Sequence, residues 1–325
     1  MKKFLLKISI ALLLLLGNVA VGQQQFSYNG SWGQAGFNLG QADGQGVVIT
    51  YSVPSFSMEE MMINGQKMHS VQLPGVFLFN EAGAPNVPGT GRYLCIPQGA
   101  TAWVEILDQR TTVIPNVNLA PAPRIPKENE DGLEYPVNET IYGSNAFYPA
   151  QAVKLSAPYQ VRGVDVVMLG ISPFQYNPVT KELLVYQDIK IRVHFSGGNG
   201  HVGDDRLRSR WFDPLLADML LNASSLKKVE YNQPAAPSEE VGFEYLIIVP
   251  NDPYFAQWAD TIRQFRTRQG IRTGIKTLSD IGGNTTTAIE NYLNNAYNTW
   301  DIPPVACLLI GDYGTNAANT IVSPI

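Results

Sequence analysis

The sequence predicts two domains of different class: a mainly antiparallel β-sandwich, then the start of a doubly wound α/β domain. Three observations predict it. From Gly46 to Phe195, short alternating or β-branched runs (GVVITYSV, GVFLF, GRYLCIP, TAWVEIL, VDVVMLG, IKIRVHF) are separated by Pro, Gly and Asn, as in a sandwich. Residues 222–240 (NASSLKKVEYNQPAAPSEE) have almost no apolar periodicity. From Phe243 onward, continuous apolar strands alternate with amphipathic helices, which is βαβ texture.

The N-terminus reads as an export signal over residues 1–22. Lys2 and Lys3 precede an apolar run from Phe4 to Leu16 broken by Lys7 and Ser9, and the small residues Ala20 and Gly22 place a cut after Gly22. The uninterrupted run ALLLLLG is far short of the roughly 20 residues that span a bilayer, so no stable membrane anchor is expected. Residues 23–45, with SWGQAGFNLGQADGQG, read as a flexible Gly-rich lead-in.

Residues 46–221 form the expected sandwich. Within it, the Pro-rich and charged stretch 118–136 (NLAPAPRIPKENEDGLEYP) reads as an exposed loop rather than core. FQYNPVTKELLVY reads as a tight hairpin with Asn177 and Pro178 at the turn, and LLADMLL as a helix from Pro214 to Leu221. Residues 222–240 then read as an exposed linker and cleavage region.

In 241–325, EYLIIVP is a strand. Asp252 and Pro253 open a helix with Phe255, Trp258, Ala259, Ile262 and Phe265 on one face, and Gly270 closes it. RTGIKTL is the next strand, NTTTAIENYLNNAYNTW a Thr-initiated helix with Ile289, Leu293 and Ala296 inward, and PVACLLIGD a third strand. Three strands are fewer than the usual four to six of a sheet, so the natural protein is expected to continue beyond Ile325.

With 325 residues, 45% hydrophobic and 10% aromatic content and a formal net charge of -5, the chain is ordinary globular material. It lacks the basic excess that draws a protein to nucleic acid, so no nucleic-acid partner is expected. The two cysteines, Cys95 and Cys307, lie in apolar runs without a second Cys or His at ligand spacing; both are expected to be free and buried.

GVFLFNEAGAPNVPGTGRYLCIPQGA, YNPVTKELLVY and IRQFRTRQGIRT, followed by VACLLIGD, resemble the precursors of gingipain-like cysteine peptidases over most of the chain after the signal. The resemblance implies a secreted or cell-surface zymogen. Its sandwich propeptide assists folding and covers the cleft of a caspase-like catalytic domain that attacks peptide bonds of protein substrates with a Cys thiolate and a His. The propeptide's partner would be its own catalytic domain. In the family both catalytic residues lie later than this chain reaches, and the three histidines here, His69, His194 and His201, all precede residue 240. No catalytic residue is therefore assigned, and the chain as given is expected to be inactive. The competing reading is a stand-alone exported β-sandwich binding or inhibitor protein.

Four residues merit individual reading. Cys307 sits in mid-strand and reads as packing rather than as a nucleophile, which needs an electropositive or His-paired setting. Asp312 follows Gly311 at a strand's carboxyl end, where it can cap a loop or help ligate a cation; no cofactor is required, and Ca²⁺ is a candidate in the complete catalytic domain with no metal ligand assigned. Arg124 and Lys127 lie in the Pro-rich loop, and the resemblance makes them candidates for a cleft-blocking basic side chain. The histidines have no second ligand at fixed spacing, and the sequon Asn138-Glu139-Thr140 matches a glycosylation acceptor, which has no bearing if the source is bacterial, as the resemblance implies.

Overall fold

The computed structural model describes residues 23–76, 80–231, 241–312, 314 and 319–322. The expected signal peptide, the FLF of the second predicted strand and the second half of the expected linker lie outside them. The chain forms two compact units. One gathers the described residues up to Arg92 with Ala102–Ser156 and Met168–Phe195; the other gathers Tyr93–Thr101, Ala157–Val167 and the described residues from Ser196 onward.

The first unit is antiparallel. Its three-stranded sheet pairs β1 (Gln23–Ser27) with β4 (Ser55–Ile63) and β4 with β5 (Gln66–Gln72). Asn64 and Gly65, both at positive φ, make the two-residue turn between β4 and β5, because their left-handed backbone matches the strand twist. A second sheet contains β2 (Gly36–Asp43), β3 (Gly46–Ser52), β11 (Phe174–Asn177) and β12 (Glu182–Gly197) in the order β11-β12-β3-β2, and β7 (Ala100–Ile114) also pairs with β12. Val47, Ile49, Ile189, Ile191 and Val193 are fully buried, each contributing roughly 1.5–3 kcal/mol. Phe56 of the first sheet meets Phe174 of the second edge-on, with ring centroids 5.0 Å apart. The hairpin turn forms as expected: the Asn177 side-chain oxygen, Oδ1, accepts the amides of Val179 (3.1 Å) and Thr180 (3.3 Å).

Two expectations in this unit are corrected. Residues 23–45 are not a flexible lead-in, since β1 and β2 occupy most of them and are tied by backbone pairing to β4 and β3. The stretch 118–136 is exposed only in part: Leu119, Ala120 and Ala122 are buried, because small residues let this backbone pair closely, Ala122 with Ala84 (2.7 Å) and Ala120 with His69 (2.8 Å).

In the second unit, β9 (Tyr159–Val161) and β10 (Val164–Ile171) form a hairpin through Val161 and Val164. The short helix α1 (Glu139–Tyr142) and β8 (Val153–Leu155), which pairs with the end of β10, precede them in the chain; α2 (Asp213–Met219) closes over Cys95, Val164 and Val166 with Leu216. The end of β6 (Thr90–Cys95) is held by Asn222, whose side chain accepts the Cys95 amide and donates to the Cys95 carbonyl, both at 2.9 Å. The segment beginning at 222 thus opens buried rather than exposed.

The parallel part follows as predicted: β13 (Tyr245–Val249), α3 (Pro253–Arg268), β14 (Thr273–Thr277), α4 (Thr286–Thr299) and β15 (Ala306–Leu309), with sheet order β14-β13-β15. Asp252 and Thr285 cap the two helices, accepting the amides of Tyr254 (2.7 Å) and Ala288 (3.1 Å). Ala259 is buried, and Phe255 and Ile262 pack beside it on Ile247 and Val249. Trp258 and Phe265, expected on the same face, are 53% and 56% exposed. At about 100° per residue they lie roughly 70–90° round the helix from that inward stripe, at its rim.

The carboxylates predict an acid transition. Asp280 is held below its ordinary range by the Thr277 amide and hydroxyl, and Glu130 by the Lys127 amide and the Arg124 guanidinium. Groups with depressed folded pKa contribute stability that is full above about pH 4 and is lost as pH falls through the lower folded value. The melting temperature should hold from pH 7 to 5 and fall toward pH 2.5, with Asp280→Asn removing part of the fall; a flat profile down to pH 2.5 would contradict this origin.

Candidate functional site

The carboxyl edge of a parallel sheet is where α/β proteins gather reactive groups. Here that edge is a polar rim built by the turns after β13, β14 and β15. After β13, the Asn251 side chain accepts the Ser279 amide at 3.1 Å and donates to its hydroxyl. After β14, Asp280 accepts both the amide and the hydroxyl of Thr277 at 2.8 Å. After β15, the Asp312 amide donates to the Asn319 carbonyl at 2.7 Å, and Asn284 braces the same return by bonding the Thr320 carbonyl (3.0 Å) and the Val322 amide (2.9 Å). Asp312 thus lies just past the carboxyl end of β15, bridged by its backbone to the segment at Asn319 and Thr320.

Among the described residues, no three His, Cys, Asp or Glu side chains converge in a metal-holding group. The histidines are otherwise engaged. His69 Nδ1 accepts the Asn118 amide (3.1 Å), His194 stacks on Trp103 (3.9 Å) and meets Glu105 (2.8 Å), and His201 meets Lys227 (3.0 Å). Asn138 of the sequon serves as the cap of α1, accepting the Ile141 amide at 3.2 Å.

Cys95 is buried as expected, but Cys307 is exposed, which corrects its reading as core. It lies on β15, beside Leu293, Tyr297 and Pro304. These apolar neighbours desolvate the thiol and push it up to about 11, while burial takes Cys95 to about 12. A nucleophile needs the opposite shift, so neither thiol is activated. With a disulfide reagent at pH 7.5, Cys307 should react slowly and Cys95 only on unfolding, with the Cys307 rate rising about tenfold per pH unit below its pKa. A pH-independent rate for Cys307 would overturn that assignment.

In the first unit, the expected basic loop is internally braced. Arg124 donates to Glu130 (2.7 Å) and Glu134 (2.9 Å), and its amide donates to the Glu134 carbonyl (2.8 Å), closing a small hairpin. Those two carboxylates push the guanidinium pKa further up. Glu130 also accepts the Lys127 amide at 3.0 Å, and Ile125, between the two basic residues, is 71% exposed. The loop therefore projects Ile125 and Lys127 from a base that Arg124 ties together.

Comparison with known proteins places these features. The Propeptide_C25 family model matches residues 35–204, and Peptidase family C25 matches residues 238–325. Gingipain R1 of Porphyromonas gingivalis is 26% identical over 237 residues, which cover 72% of this chain and 23% of that protein. Lys-gingipain of the same organism is 29% identical over 173 residues, 49% of this chain and 10% of that protein. The chain thus spans less than a quarter of the length of these relatives. Among solved structures, the complex of Porphyromonas gingivalis RgpB pro- and mature domains matches with a TM-score of 0.51 at 20% identity, over 57% of this chain and 97% of that one.

Proposed function

The chain belongs to the Propeptide_C25 family and runs on into Peptidase family C25, and from that premise we propose that it is the N-terminal part of a secreted or cell-surface cysteine endopeptidase zymogen. The observation that carries the reading is the order of the two matches on one chain, together with the turn from antiparallel sheets to a parallel β-α-β-α-β run in the second. Residues 1–22 would direct export, the propeptide would assist folding and block the cleft of its own peptidase domain, and 222–240 would be cut on activation. The α/β part would be the opening of a caspase-like domain whose His and Cys lie beyond residue 325. Once complete, that domain would attack a peptide carbonyl with thiolate while His moves the proton and backbone N-H groups hold the oxyanion. The polar carboxyl edge with Asp312 would border this site, and Ca²⁺ bound there would draw the rest of its oxygen ligands from the complete catalytic domain.

Expression of the gene product extended beyond residue 325 tests this. After cleavage within 222–240 it should hydrolyse peptide substrates in a reaction abolished by thiol alkylation, and the 325-residue chain should be inactive and inhibit it in trans. An extended product without thiol-dependent proteolysis would overturn the reading and leave the stand-alone binding protein.

A further inference from the structure

We infer that Arg162 and the segment Arg206–Trp211 form a docking clamp by which the propeptide grips the amino-terminal edge of the peptidase sheet, a surface separate from the Arg124 loop. The inference rests on the assignment of 46–221 as propeptide and 241 onward as peptidase domain.

The peptidase side presents unsatisfied acceptors there. The carbonyls of a helix's last turn have no partner within the helix, and α4 has no basic residue of its own in that turn. Arg206 supplies one, donating to the Tyr297 carbonyl at 2.9 Å and the Trp300 carbonyl at 3.1 Å. The loop into β15 contains Pro303 and Pro304, whose carbonyls accept from Arg162 at 3.2 and 2.8 Å. Arg162 occupies the tip of the β9–β10 hairpin with Gly163, both at positive φ, in a two-residue turn that favours Asn or Gly over a long side chain. The guanidinium that this unfavourable position carries lies over the Tyr297 ring at 5.3 Å.

The third contact is buried and charged. Glu244, 8% exposed just before β13, accepts both arms of Arg210 at 3.0 Å, the Trp211 indole N-H at 2.9 Å and the Arg272 amide at 2.9 Å. Three of these four donors come from the propeptide segment. Arg210 also donates to the Gly270 carbonyl just beyond α3. Bidentate charge-assisted bonds of this kind are the strong class of hydrogen bond and are fixed in geometry.

All of these acceptors sit at the amino ends of β13 and β15 or the carboxyl ends of α3 and α4, opposite the rim of Asn251, Asp280 and Asp312. The clamp therefore leaves the carboxyl edge uncovered. It also lies clear of the connection: Asn222 is locked to Cys95, Arg208 donates to the Lys227 carbonyl at 3.2 Å, and the Tyr231 hydroxyl donates to Asp213 at 2.5 Å. A cut between Tyr231 and Val241 breaks the chain without touching any of these bonds. The propeptide then remains on the peptidase domain as a separate polypeptide held by the clamp.

The test uses the 325-residue chain with a recognition sequence for an exogenous endopeptidase placed within 232–240, cut, diluted and followed by size exclusion. The two pieces should co-elute. Arg206→Ala, which strands no charge because its partners are carbonyls, should speed their separation roughly tenfold, and Arg210→Ala roughly 100-fold. If Arg210→Ala does not fold, Arg206→Ala decides alone. Wild-type pieces that separate on cutting, or an Arg206→Ala complex as long-lived as wild type, would overturn the clamp. Because no peptidase activity is read, this outcome is independent of whether the extended gene product proves to be a cysteine peptidase.

Discussion

Replacing Asp188 with Ala is expected to destabilise the first unit by about 3–5 kcal/mol, the cost of removing one partner from a buried ion pair. Asp188 is fully buried in β12 and serves three elements at once. It accepts the Ser52 hydroxyl at 2.6 Å and the Trp32 amide at 2.9 Å, and it meets the Arg110 guanidinium at 2.5 Å. Ala leaves the Ser52 and Trp32 donors without that acceptor and the Arg110 guanidinium without its counter-charge, whereas Asn keeps an oxygen for Ser52 and Trp32 and loses only the charge. Thermal unfolding should therefore fall by roughly 10 °C or more for Asp188→Ala and by about half that for Asp188→Asn. An Asp188→Ala melting point within 3 °C of wild type would show that the pair is not a keystone of this sheet.

Asp188 also marks where the fold was legible and where it was not. Strands whose side chains enter the core announce themselves: β3 and β12 alternate or run apolar, and their buried residues are the ones the pattern selects. β1, with sequence QQQFS, and the outer half of β2 bury almost no side chain, so hydrophobic periodicity has nothing to register. Their place is set by backbone pairing, of β1 with β4 well along the chain and of β2 with β3 in a hairpin closed at Asp43 and Gly46, and the Asn64-Gly65 turn is a local signal for β4. Trp258 and Phe265 fail for a related reason, since an apolar residue at the rim of a stripe shares its period without sharing its burial.

The candidate site divides in the same way. Asp312 at a strand end and the basic loop of Arg124 and Lys127 could be located, because a Gly-Asp after an apolar strand and a Pro-rich charged stretch are local signals. Cys307 was misplaced because a continuous apolar run predicts burial only if neighbours cover it, and among the described residues β15 is paired with β13 alone. No local sequence pattern marks Arg206, Arg208 or Arg210. Their roles come from carbonyls and carboxylates at distant positions, apart from the Arg208–Asp213 pair at 2.7 Å, and no spacing rule connects Arg210 to Glu244.

The loop of Arg124 offers the sharpest functional test, since a brace and an anchor predict opposite behaviour. Arg124 is held by Glu130 and Glu134, so a carboxylate-lined pocket in a partner enzyme would exchange like for like, with the guanidinium leaving two acidic partners for others. If Arg124 is the cleft-blocking side chain, Arg124→Ala in the intact chain should weaken inhibition of the mature enzyme roughly 100-fold. The paired change Glu130→Gln with Glu134→Gln should instead leave inhibition equal or tighter, because it removes the competing acceptors. If Arg124 only ties the base of the loop, both variants break the same brace and should weaken inhibition alike. Lys127, whose amide but not its charge is held by Glu130, then becomes the anchor, and Lys127→Ala should show the larger loss. Measuring three inhibition constants against one enzyme separates these cases, because the sign of the Glu130/Glu134 effect differs between them.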